Sequence, residues 1–154
     1  MSSDATYVQQ TIPLGSYIDV SAKQAVAILE VDYGTCLASN FTSGLGTDTI
    51  VDYQLTDINR GALVSPADSS VISRGVLGYD NTPPNFSNEN WIYPDSFGTM
   101  SQARMVVNDD IFFGAQTASQ SAGDQLAVVR VKAQVVKLSE KDFMALALTS
   151  VASA

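Results

Sequence analysis

Residues 125–138, QLAVVRVKAQVVKL, alternate with a period of two, and that alternation constrains the fold more than any other feature. Val129, Val131, Ala133 and Val135 fall on one side, and Arg130, Lys132 and Gln134 on the other. A helix would scatter these residues around its circumference; a strand sorts them into a dry face and a wet one. At about 3.3 Å per residue the segment would be a strand more than about 40 Å long, expected at the centre of a sheet. Residues 24–33, QAVAILEVDY, repeat the pattern. Strict alternation puts Ala25, Ala27, Leu29, Val31 and Tyr33 on one face, and Glu30 and Asp32 with Val26 and Ile28 on the other.

Shorter strands are expected at 6–13, 16–21, 49–55, 69–77, 102–107 and 110–117, all rich in Val, Ile, Tyr, Phe and Thr. Turn-prone groups separate them, among them Pro13-Leu14-Gly15, Ser43-Gly44-Leu45-Gly46, Ser65-Pro66-Ala67-Asp68, Asn108-Asp109 and Ser121-Ala122-Gly123-Asp124. No strand–helix–strand alternation is visible, which excludes a doubly wound sheet. One helix is expected, over 139–150, where Ser139 precedes Asp142 by three residues in a near capping box. The tail Ser150 to Ala154 is small-residue and expected to fray. The stretch 78–100 reads differently, with three of the five prolines and with Phe86, Trp91, Tyr93 and Phe97. It is expected as an irregular insertion that either caps the fold or meets a partner. At 154 residues the chain is one domain, 1–154. The expected class is all-β: a two-sheet antiparallel β-sandwich, a jelly roll, with a short C-terminal helix and an extended arm at 1–15.

Composition removes whole classes of chemistry. There is no His, the commonest acid–base residue and metal ligand, and the single Cys36 leaves no intrachain disulfide, thiolate zinc site or redox pair. Cys36 is expected as a small core hydrophobe. Asp109-Asp110 is the only adjacent acid pair, and neighbours on a strand face opposite sides. Asp109 and Asp110 are therefore expected to open a strand from a turn rather than to hydrolyse a glycoside or hold calcium. Gly44-Leu45-Gly46-Thr47 lacks the Lys of a phosphate loop and reads as a turn. No enzyme and no cofactor are expected. The net charge is −8, and residues 1–59 hold a single base, Lys23, among seven acids. Direct nucleic-acid binding is not expected, because phosphates require clustered Lys and Arg. Arg130, Lys132 and Lys137 form the nearest approach and read as a solvated strand face or a subunit contact. MSSDATYVQQ has no basic or apolar signal region, and no apolar stretch nears the roughly 20 residues of a membrane span. The triplets at Asn40 and Asn85 match the N-glycosylation pattern but carry little weight without a secretory signal.

The pattern as a whole resembles the small single jelly-roll capsid proteins of tailless icosahedral viruses. It runs from Leu14-Gly15-Ser16-Tyr17-Ile18-Asp19-Val20 through Asp109-Asp110-Ile111-Phe112-Phe113-Gly114 to Val135-Val136-Lys137-Leu138-Ser139-Glu140-Lys141-Asp142. The shared features are an extended arm, an aromatic insertion, a long late strand and a terminal helix. The resemblance implies a structural virion protein, assembled in the host cytoplasm, whose copies form capsomers with each other and with other capsid subunits. The chain departs from many jelly-roll coats in lacking a basic arm, so the implied place is an outer layer or a minor shell position. The candidate interface residues are Tyr7 and Val8 in the arm and Phe86, Trp91, Tyr93 and Phe97 in the insertion. The alternative function on the same fold is a carbohydrate- or cell-surface-binding module, with the insertion's aromatics stacking on sugar rings.

Overall fold

The computed structural model describes residues 7–37, 49–81, 84–92, 104–117 and 125–152. It contains β1 (Val8–Pro13), β2 (Gln24–Leu37), β3 (Thr49–Thr56), β4 (Val71–Asn81), β5 (Pro84–Ile92), β6 (Arg104–Val106), β7 (Asp110–Thr117), β8 (Gln125–Lys137) and α1 (Glu140–Ala152). The strands form two antiparallel sheets, one ordered β1-β7-β3-β4-β5 and the other β6-β2-β8. The described residues thus form two antiparallel sheets with one helix, an all-β fold.

The core lies between the sheets. Val51, Tyr53 and Leu55 of β3, Ile72 and Leu77 of β4, and Ile111 and Phe113 of β7 meet Val26, Ile28 and Val31 of β2 and Val106 of β6. Tyr33 of β2 bridges the layers: its ring stacks on Tyr53 at 5.0 Å between centroids and on Phe113 at 6.0 Å. Such stacking adds roughly 0.5–1.5 kcal/mol per pair to the area buried. Burial pushes the Tyr53 phenol up to about 12 and the Tyr33 phenol higher still, with Thr35 and Ser73 respectively opposing the shift.

Four expectations about the strands are corrected. First, β2 does not alternate strictly. Its register against β8 shifts between Ile28 and Glu30, so Leu29 is the extra residue of a β-bulge. The core face is Val26 and Ile28 before the bulge, and Val31 and Tyr33 after it. Ala25 and Ala27 on the reverse face are buried as well. Second, β8 is an edge strand of the smaller sheet, not a central one; of its expected dry face only Val129 and Val131 pack against the core, while Ala133 and Val135 are exposed. Third, 16–21 is a turn. The Asp19 carboxylate accepts hydrogen bonds from Ser21 N at 2.9 Å, Ser21 Oγ at 2.7 Å and Ala22 N at 3.2 Å. These local bonds stand in for a strand ladder. Lys23 closes the turn at a positive φ of 55°, and only Asp19 and Gln24 form a bridge. Fourth, the first part of 78–100 is no irregular insertion. It supplies the end of β4 and the whole of β5, while residues 93–100 lie outside the described residues.

The helix starts as its sequence implies, and it runs on to Ala152, past the expected end at 150. Ser139 Oγ accepts from Asp142 N at 3.2 Å, and Ser139 O from Phe143 N at 2.9 Å. Phe143 is buried, whereas Met144 and Leu148, one turn apart, are more than half exposed. The helix therefore leaves much of its expected apolar face open. Cys36 lies inside β2, only partly buried rather than in the core.

Candidate assembly interface

The candidate interface residues do not form one patch. Tyr7 and Val8 stand at β1, whereas Phe86 and Trp91 belong to β5, at the opposite edge of the five-stranded sheet. Four strand spacings separate those edges, roughly 19 Å. Tyr93 and Phe97 lie outside the described residues. Between Arg74 and Gly75 the register jumps from Ile92 to Asn90, which makes Trp91 the extra residue of a bulge on the edge strand. Bulges of this kind are one way in which edges are kept from indiscriminate pairing.

Tyr7 is tethered rather than free. Its ring lies on Gly114 of β7, filling the space that a Cβ there would occupy. Its hydroxyl donates to Gln9 Oε1 at 3.1 Å and accepts from Gln54 Nε2 at 3.2 Å. Burial raises the phenol's pKa, while the Gln54 bond and Arg74 oppose the rise. Val8 is 65% exposed beside it.

Gln54 is the centre of this region, and sequence reasoning did not single it out. It sits on the face of β3 that points away from the core, yet it is fully buried. Residues 57–70 fold back over that face. Gln54 Nε2 donates to Ala62 O at 3.0 Å, and Gln54 Oε1 accepts from Val64 N at 2.9 Å. Further clamps hold the same connection. Arg60 donates to Asp68 Oδ1 and to Ser70 Oγ, both at 3.0 Å. Arg104 of β6 donates to Asp57 Oδ2 at 3.0 Å and to Ser69 O at 2.8 Å, and Asn108 donates to Asp57 O at 2.5 Å. The Ser70 hydroxyl, foremost, holds the Asp68 carboxyl below its ordinary range. On the neighbouring strand pair, burial pushes the Asp52 carboxyl up against the pull of Arg74, whose Nη2 lies 3.8 Å away. The one signal in the sequence was the alternation Asp52, Gln54, Thr56 against Val51, Tyr53, Leu55, which marks a polar face but not its cover.

The remaining candidates resolve simply. Arg130 pairs in register with Asp32, and Lys132 with Glu30, whose charged groups lie 3.9 Å apart. That strand face carries both signs, and such exposed pairs contribute little to stability. Asp109 offers its carbonyl to Leu14 N at 2.6 Å, and Asp110 opens β7 opposite Pro13. Leu126 and Val128 of the β8 edge strand, with Val135 further along, are each 42–47% exposed. Among the described residues no group of three or more His, Cys, Asp or Glu is placed to hold a metal ion, and no helix is long and apolar enough to cross a membrane.

Set against known protein families, curated proteins and solved structures, the chain matches none of them.

Proposed function

We propose that this chain is a structural subunit of a virion shell, a jelly-roll-type sandwich that assembles with copies of itself into a closed icosahedral coat and performs no catalysis. The observation that carries the reading is the set of strand edges left without a partner among the described residues: β1 and β5 bound one sheet, and β6 and the thirteen-residue β8 bound the other. Open edges in a chain with few charged residues are surfaces that pairing with neighbours covers, and closed symmetry lets many weak contacts add up. Part of the pairing order supports the jelly-roll form: the first strand pairs with the seventh and the second with the sixth, as in a long hairpin rolled on itself, and β7 also pairs with β3. The longer pairing of β2 with β8 and the meander of β3, β4 and β5 depart from that nested order.

The test is the native mass of the purified chain by light-scattering chromatography across salt concentrations, with negative-stain imaging of the same fractions. Pentamers, hexamers or closed particles are expected. A chain that stays monomeric at high concentration and binds glycans in an array would overturn the shell reading in favour of a sugar-binding module.

A further inference from the structure

We infer that β1 is an exchangeable strand, and that in the assembled state the socket formed by the β7 edge, Gly114 and Gln54 holds Tyr7 and residues 8–13 of a second copy of this chain. The inference rests on the assembly reading above and deepens it by naming the contact. Four observations bear on it. β1 is an edge strand of six residues, paired with β7. Val8, Gln10, Thr11 and Pro13 are exposed, so the strand gives up little buried surface on leaving; of its apolar side chains, Ile12 packs partly on the core.

The pivot is also well defined. Leu14 is buried in the core and its N donates to Asp109 O at 2.6 Å, so the chain is anchored just behind Pro13. Pro13 itself has no N–H to contribute to a ladder.

The socket is built without β1. Gln54 is fixed by Ala62 and Val64, and the bond to Tyr7 is an addition to that frame. Gly114 leaves a bare backbone on which only a flat ring has come to rest, because a Cβ there would collide with the Tyr7 phenol. Tyr7 and Gln9 together meet Gly114, Gln54 and Asn59, and a second copy offers that same segment. Gln9 Nε2 adds a bond to Asn59 Oδ1 at 2.8 Å, which an exchanged strand would remake. Exchange therefore breaks and reforms identical bonds, which is the low-cost route to association.

The experiment uses full-length chains, all with Cys36→Ser. One carries Val8→Cys and another Ala115→Cys, register partners across β1 and β7. A single chain with both substitutions verifies that this pair closes. The two single-cysteine chains are mixed, brought to assembly conditions and mildly oxidised. The expected result is a Val8→Cys/Ala115→Cys heterodimer in at least tenfold excess over a control mixture in which Thr117→Cys replaces Ala115→Cys. Assembled particles without that excess would overturn the exchange and leave the shell reading intact. An absence of any assembly by light scattering would sink both.

Discussion

Replacing Gln54 by Met isolates what holds residues 57–70 against the sheet. Met keeps nearly the same volume and burial but offers no donor and only a weak acceptor. Tyr7 keeps its bond to Gln9. The two groups that lose their partner are Ala62 O and Val64 N, now bonded at 3.0 and 2.9 Å. An abandoned buried backbone group costs about 1–3 kcal/mol, so the pair costs about 2–6 kcal/mol. Ala62 is exposed, so water can recover part of its carbonyl's loss, and about 2–4 kcal/mol is the expected net cost. Against a total stability of about 5–15 kcal/mol that is a large share. It should lower the thermal midpoint by roughly 5–15 °C for a chain of this size. The assay is urea unfolding at one fixed protein concentration, read as a lower midpoint at unchanged slope. Hydrogen exchange at the Val64 amide reads the same event locally. A loss below about 1 kcal/mol, with Val64 still protected, would refute the claim that this side chain pins the connection.

Two further outcomes follow from named contacts. Gly114→Ala should destabilise the chain by about 1–3 kcal/mol by displacing the Tyr7 ring, and by much less in a Tyr7→Ala background; additive losses in that double-mutant cycle would dismiss the contact. Tyr33 and Tyr53 bear on alkaline stability. Their folded pKa values are raised by burial, so the stability they contribute is complete below the unfolded value of about 10 and is lost as pH rises through about 12 for Tyr53 and beyond for Tyr33. Tyr53→Phe should therefore flatten the alkaline limb of an unfolding-versus-pH series followed by phenolate absorbance, and an unchanged limb would count against the buried phenol.

Much of the architecture was legible because strand periodicity is local. The expected strands at 6–13, 24–33, 49–55, 69–77, 102–107, 110–117 and 125–138 all have counterparts, and Ser139 caps the helix as its spacing from Asp142 implies. The failures share a cause. At 16–21 the apolar spacing suggested a strand, but one carboxylate drew three local hydrogen bonds and closed a turn. At Leu29 a single extra residue changed the phase of β2, and the only trace in the sequence was the unbroken apolar run Ala25 to Leu29. The cover over Gln54 and the clamps of Arg60 and Arg104 were not legible, because each joins a strand or loop to a segment outside its own period, eight to ten residues away for Gln54 and Arg60 and 47 for Arg104 and Asp57.

By itself the sequence determined most of the strand segments, though not β5 and not the turn at 16–21, where the terminal helix starts, and that neither histidine chemistry nor an intrachain disulfide is available. These follow from side-chain period and residue type, which each segment carries alone. Only the tertiary structure decided that β8 lies at an edge, that β1 and β5 bound opposite sides of one sheet, and that residues 57–70 bury the polar face of β3. Strand order and the cover over a polar face depend on which distant groups satisfy one another's hydrogen bonds, and no alternation along a single strand encodes its neighbours.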